Sequence, residues 1–281
     1  MTIRRCDYER ELPSDLSILT PLYGALNRWA TAAGIGATGC SRITVAVSEA
    51  VTNAIIHAHA NAPQKTVYIA LGAEGDHLIV EVGDRGAYGW TVPAPPGAEQ
   101  WEQTHGRGIH LIRNLAHTAS FLPRPGGGTL VRMTFLAREN DSIPNPTVPG
   151  GMTAGQGGNQ MESLVETFDD VDVLRISGRI DLVTSNTLKD MVREHLHRGR
   201  RHLVLNLERV DFINSSGLGS LVSILKDVRL AGGSLVLSNL APYVQEIFEI
   251  TQLSNVFEIF DTEPAAVQSL AGRVEMVAVN P

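Results

Sequence analysis

A run of 24 residues between Arg138 and Met161, RENDSIPNPTVPGGMTAGQGGNQM, constrains this chain more than any other feature. It holds three prolines, five glycines and three asparagines and almost no apolar side chains. Proline withholds a backbone donor and glycine loses the most entropy on ordering, so no buried helix or strand face can be built there. Structureless stretches of this length are uncommon inside one compact domain. The run therefore reads as a linker, with an r.m.s. span of roughly 25–30 Å for a flexible coil. Cutting the 281-residue chain there leaves 1–137 and 162–281, each of ordinary domain size.

The two pieces differ in charge. Residues 1–137 carry 11 basic and 11 acidic groups, whereas 162–281 carry 11 and 17, so nearly all of the net −7 sits in the second piece. An acidic balance argues against direct nucleic-acid binding, which needs a basic face to neutralise phosphates. No stretch approaches the ~18 consecutive apolar residues of a membrane span. Met1–Arg10 carries both signs of charge and no apolar core, unlike a secretion signal. Cys6 and Cys40 make neither a disulfide framework nor a metal set. The expected location is the cytoplasm, with no membrane partner.

In the first piece, Leu16, Leu19, Leu22, Leu26 and Trp29 recur at helical spacing, and Gly34 ends the run. A second helix is expected after Ser41 as N-cap, with Ile43, Val47, Val51, Ala54 and Ile55 on one face. Strands are expected over 66–71 and 77–82, joined as a hairpin, then a helix over 108–116 and strands over 119–122 and 129–136. Helices first and a hairpin-rich sheet after predict an α+β two-layer sandwich. The second piece alternates. Strands at 173–176, 202–207, 234–238 and 257–260 are separated by helices at 185–197, 217–230, 244–251 and 264–270, which predicts parallel pairing through right-handed crossovers.

Three short motifs in the first piece carry chemistry. In Ser48–His57, SEAVTNAIIH, Glu49 and Asn53 stand four apart and share a helix face, with His57 a turn further on. A carboxylate and a carboxamide so placed can hold an attacking hydroxyl and a hydrated metal ion. Gly83-Asp84-Arg85-Gly86 follows an apolar strand, with a glycine that lets backbone approach a ligand. His105-Gly106-Arg107-Gly108 precedes a helix, where exposed N–H groups and the helix dipole favour an anion. Neither a G-x-x-x-x-G-K-[ST] loop nor the H-R-D and D-F-G motifs of eukaryotic-type kinases is present.

In this order the motifs resemble the Bergerat-fold ATPases, and among them the bacterial serine-kinase anti-sigma factors. Glu49 and Asn53 match that family's N box, Asp84 and Gly86 its first glycine box, Gly106 and Gly108 its second, and Gly128-Thr129 its closing Gly-Thr. The resemblance spans nearly all of 12–137 and implies an α/β sandwich with a mixed, mostly antiparallel sheet. It implies ATP with Mg²⁺ as cofactors: Asp84 on the adenine amino group, Asn53 on the metal, the glycines and Thr129 around the nucleotide, and Glu49 as the base that activates a protein serine. The segment 85–104, with Trp90 and Trp101, is expected to cover the nucleotide.

The second piece contains VDFINSSGLGSL, 210–221, in which a strand and a short loop lead into a helix with Ser215 or Ser216 at the N-cap position. With ISGRID at 176–181, this resembles the STAS domain of anti-sigma factor antagonists, over about 162–275. The match implies a central, mostly parallel sheet with flanking helices and makes Ser215 the phosphoacceptor, with Ser216 as the alternative. Asn214 stands where phosphorylated antagonists usually carry Asp. The basic and histidine-rich run His195–His202 falls at a helix end and the turn after it, where cations complement the dipole. Taken together the resemblances imply a serine kinase and its antagonist in one chain. Sigma factor and STAS proteins would be its partners, a PP2C-type phosphatase would reset the serine, and the kinase part would form a homodimer. The alternative reading is a switch that holds nucleotide and exchanges partners without transferring phosphate.

Overall fold

The computed structural model describes residues 6–86, 107–124, 126–137 and 161–279. These form two compact units. The linker expected at 138–161 lies, except for Met161, outside the described residues, as do Trp90, Trp101 and Gly106.

The first unit is a five-stranded sheet with helices on it. In chain order it comprises β1 (Cys6–Pro13), α1 (Leu19–Ala32, after a short 3₁₀ turn), α2 (Ala37–Asn53), a π-helical turn (Ala54–Ala58), β2 (Thr66–Glu74), β3 (His77–Gly83), α3 (Arg107–Leu115), β4 (Thr118–Pro123) and β5 (Thr129–Leu136). The sheet order is β1-β2-β3-β5-β4, and the expected mostly antiparallel character holds at all four pairings. α2 packs on α1 and β3. Its Ile43, Val47 and Val51, with Leu22 and Leu26 of α1 and Leu111, Ile112 and Leu115 of α3, are all buried.

Two expectations need correction. α2 starts at Ala37 behind Gly36, a turn before Ser41, so Ser41 is not its cap. The backbone groups of Gly36 serve instead, because the Cys40 N–H donates to the Gly36 carbonyl at 2.9 Å. β1 was not expected. It is an edge strand, paired with β2 alone, and its alternating charged residues give no apolar periodicity to read.

The second unit comprises β6 (Glu162–Phe168), β7 (Val171–Ile180), α4 (Ser185–His197), β8 (His202–Ile213), α5 (Ser215–Leu230), β9 (Ser234–Ser238), α6 (Pro242–Ile250), β10 (Ile259–Phe260) and α7 (Glu263–Val279). The order β10-β9-β8-β7-β6 is parallel except for the antiparallel β6–β7 edge. Val171, Val173, Val204 and Val236 meet Ala266 and Leu270 of α7 on one face. Alternation turns Leu203, Leu205 and Leu207 to the other face, where α5 packs. Burial on both faces explains why β8 opens on consecutive apolar residues, Leu203, Val204 and Leu205, instead of an alternating pattern. At the far edge every residue of β6 is exposed, which hides that strand from pattern reading.

The His195–His202 run is partly structural in a sharper way than dipole complementation. Asp172 of β7, 2% exposed, accepts from Arg200 Nε at 3.0 Å and Nη2 at 2.6 Å and from Thr167 Oγ1 at 2.9 Å, and pairs with His195 Nδ1 at 2.7 Å. Burial alone would raise this carboxyl, but the bonds from Arg200, His195 and Thr167 together hold it below the usual carboxylate range. The end of α4 is thereby tied to the start of β7. No helix among the described residues is long and apolar enough to cross a membrane.

Candidate functional site

The three sequence motifs of the first unit belong to different elements, and the fold brings most of them together. A cleft of about 100 Å³ lies beside the end of α2. Its walls are apolar at Ala50, Ala54, Val82 and Val131, and its polar groups come from Asn53, His57, Asp84 and Thr129. Asn53 closes α2, Asp84 follows β3, and Thr129 opens β5. Thr129 meets Asp84 through the ladder, its carbonyl accepting the Asp84 N–H at 2.9 Å.

Asp84 is held tightly. Only 8% of it is exposed, and its Oδ1 accepts the Gly86 N–H at 2.8 Å, leaving Oδ2 for another donor. Gly86 has to be glycine, because a Cβ there would lie 2.7 Å from the Ala58 carbonyl oxygen. Gly128 closes the opposite side. Its φ of +90° lies in the left-handed region, and a Cβ would overlap the Asp84 carbonyl. Gly86 is thus a packing requirement of the turn after α2, and Gly128 one of Asp84 itself.

The helix that carries Glu49 and Asn53 changes pitch where it reaches the cleft. Ala54–Ala58 is a π-helical turn, in which the His59 N–H reaches back five residues to the Ala54 carbonyl at 3.0 Å. Wide turns of this kind recur at functional sites. Two non-glycine residues in left-handed conformation, Ala60 and Asn61, follow it. Glu49 lies one turn before Asn53 as expected, but it is 2% exposed and is not part of the cleft wall. Gly108 is buried at the start of α3.

In the second unit, Ser215 and Ser216 open α5, both half-buried. The cap is not a serine. Asn214, 1% exposed, accepts the Gly217 N–H on its side-chain oxygen at 3.1 Å. The expected N-cap serines are therefore the first residues inside the helix. Asn214 shows why a neutral carboxamide can replace Asp here, since the cap needs one acceptor oxygen and no charge. The loop sits tightly on β7, because a Cβ at Gly217 would overlap the Ile180 carbonyl.

One residue of the first unit lay outside the sequence reading. His59, 1% exposed, pairs Nδ1 with Ser14 Oγ at 2.9 Å and accepts the Arg85 N–H on Nε2 at 3.1 Å. No spacing marks it, because its partners stand 45 and 26 residues away.

The chain matches the histidine kinase-like ATPase domain over residues 12–135 and the STAS domain over 163–266. It is similar to the anti-sigma-B factor antagonist of Listeria monocytogenes, 32% identical over 95 residues, which are 34% of this chain and 82% of the relative. It is also similar to the anti-sigma F factor antagonist of Paenibacillus polymyxa, 29% identical over 99 residues, 35% of this chain and 85% of that protein. Among solved structures, an anti-sigma factor antagonist from Mycobacterium paratuberculosis is 25% identical, with a TM-score of 0.38, covering 41% of this chain and 97% of the other.

Proposed function

Because the chain belongs to the STAS-domain anti-sigma factor antagonists and carries a histidine kinase-like ATPase domain ahead of that module, we propose that it is a partner-switching regulator that phosphorylates a STAS-domain serine from ATP. The observation that carries this reading is the convergence of Asn53, Asp84 and Thr129 on one apolar-walled cleft. We take 1–137 as the kinase domain, 138–161 as the linker and 162–281 as the antagonist domain.

The residues present fit an adenine nucleotide. Apolar walls suit a flat base, and the Asp84 carboxylate in the cleft wall suits its amino group. Among the described residues no cluster of three or more His, Cys, Asp or Glu could hold a metal by itself. That fits magnesium, which keeps water and phosphate ligands and would take only Asn53 from this wall. Bound there, it would supply charge neutralisation at the phosphates.

The remaining roles fall to the chain's own groups. Gly86, Gly106 and Gly108 would let backbone N–H groups approach the phosphates, with the dipole of α3 behind the last two. Glu49 would take the proton from the attacking serine hydroxyl as its oxygen bonds to phosphorus and the bond to the departing diphosphate breaks. General-base work of this kind is worth roughly 10²–10⁴-fold. Ser215 would be the acceptor, with Ser216 as the alternative. A phosphate there would sit at the positive end of α5 and place up to about −2 charges on the partner-facing surface. Sigma factor and STAS proteins are the proposed partners, with a PP2C-type phosphatase resetting the serine, a homodimer through the kinase domain, and the cytoplasm as the compartment.

The depth of Glu49 and the neutral Asn214 favour a second reading, a nucleotide-holding switch that exchanges partners without phosphotransfer. Intact-mass measurement after incubation with Mg-ATP, followed by peptide mapping, decides between them. The kinase reading expects one added phosphate on Ser215 or Ser216, on this chain or on a free STAS partner. An unchanged mass with nucleotide bound establishes the switch.

A further inference from the structure

The nucleotide cleft is shaped by a residue that does not line it. The N–H of the peptide joining Asp84 to Arg85 is taken by His59, whose ring is buried between that loop and the end of β1. A backbone N–H can only donate, so Nε2 must carry the lone pair. In the neutral ring the proton is therefore on Nδ1, which donates to Ser14 Oγ. Ser14 is itself 1% exposed and anchored, its N–H donating to the Lys65 carbonyl at 2.9 Å. A chain of two side-chain hydrogen bonds thus runs from the start of the helical layer to the peptide that sets the direction of Asp84.

We propose that His59 is a positioning residue that latches the Asp84–Arg85 peptide through its unprotonated Nε2, and that protonating the ring releases the latch and weakens nucleotide binding. The inference rests on the nucleotide reading of the cleft. Its geometry is independent of that reading. A doubly protonated ring offers two donors and no acceptor, so the Arg85 N–H would face a second N–H across a part-buried contact. The loop must then move, and the Gly86 N–H and Asp84 Oδ1, which close on each other within the same turn, move with it.

The surroundings set the direction of the pH response. Burial pushes the ring below the ordinary histidine range, the Asp84 carboxylate opposes that, and Lys65 reinforces it. Further out, Arg85 and Arg124 both pair with Glu11 of β1, at 3.7 and 3.3 Å. The folded ring is therefore neutral at neutral pH, and the latch opens as pH falls below the usual histidine value of about 6.5.

The test uses the full chain and Mg-ADP, titrated calorimetrically at about pH 7.5 and about pH 5.5. Gln in place of His59 keeps an acceptor near Nε2 but cannot take up a proton, whereas Phe keeps the ring shape and loses the acceptor. Wild type should lose affinity between the two pH values beyond the dependence that ADP's own phosphate imposes, by less than the roughly tenfold that a ring titrating at the ordinary value of about 6.5 would give. His59→Gln should bind like wild type at the higher pH and show only the ADP dependence. His59→Phe should bind about tenfold more weakly at both. In parallel, ¹⁵N NMR without nucleotide should show Nδ1 protonated, with the Arg85 amide shifting at the same midpoint as the ring. Parallel pH profiles for wild type and His59→Gln, or an Arg85 amide indifferent to the ring's titration, overturn the inference. Absence of ADP binding by wild type, with the Arg85 titration intact, instead overturns the nucleotide reading and leaves the latch standing.

Discussion

Gly128 lies against Asp84 so closely that a methyl group in place of its α-hydrogen would overlap the Asp84 carbonyl and come within 2.7 Å of the carboxylate Oδ1. The contact couples the turn before β5 to the acid that faces the cleft. Gly128→Ala adds the cost of a left-handed φ to that overlap, together about 1–3 kcal/mol. The expected outcome is at least roughly tenfold weaker Mg-ADP binding, read by calorimetry, with a lower melting temperature for the first unit. Unchanged affinity would mean that Asp84 tolerates displacement and is not the base-reading group.

Glu49→Gln separates catalysis from binding. The carboxamide has the same shape, so the buried end of α2 should stay folded and ADP affinity should stay within about twofold, while phosphotransfer drops by roughly 10²–10⁴-fold. Timed phosphopeptide quantification checks the first, calorimetry the second. Equal transfer rates in the two proteins would remove Glu49 from the role of base.

At the start of α5 the carboxamide cap makes opposite predictions for two substitutions. Asn214→Ala removes the acceptor for the Gly217 N–H and should destabilise the second unit by about 1 kcal/mol. Asn214→Asp keeps the acceptor and adds a negative charge at the helix N-terminus, which should stabilise by about 0.3–1 kcal/mol at low salt. Hydrogen exchange of the first α5 amides reads both. The gain from Asp should shrink as salt is added.

The Asp172 cluster predicts an acid-sensitive second unit. Its carboxyl is held below the unfolded value, so the associated stability is complete above the unfolded pKa of about 3.9 and is lost as pH falls through the folded value. Asp172→Ala should cost about 2–4 kcal/mol near neutrality, since it leaves Arg200 and His195 without their shared acceptor. The gap between wild type and variant should close in strong acid. Exchange protection of β7 amides, followed against pH, measures it.

What the sequence disclosed depended on whether a residue's role was local. Helix α4 runs over the expected 185–197 because it buries one regular face, and β9 over 234–238 because burial on both faces leaves a short apolar run. The edge strand β6 escaped because exposure on both sides leaves no periodic signal, and β1 because charged residues outnumber its half-buried Tyr8 and Leu12. The Ser41 cap failed because a preferred residue type competes with where packing begins, and Cys40, ahead of Ser41 in the helix, is already buried. At the cleft, Asn53, Asp84 and Thr129 were legible as motif residues and do converge. His59 was not, because its meaning lies in a loop and a strand end that only the folded chain brings to it.

The wide turn at Ala54–Ala58 has a consequence for how this helix can change. A π-turn stores one residue more than an α-turn over the same rise, and that surplus can be removed without breaking the helix. Taking it out would restore four-residue spacing and rotate everything downstream by about a quarter turn. Asn53, upstream, would keep its place, while the imidazole of His59, one residue past the cleft wall, would swing away from Ser14 and Arg85. A single deletion could thus uncouple the grip on the acid from the helix that carries the amide, leaving both folded and no longer in step.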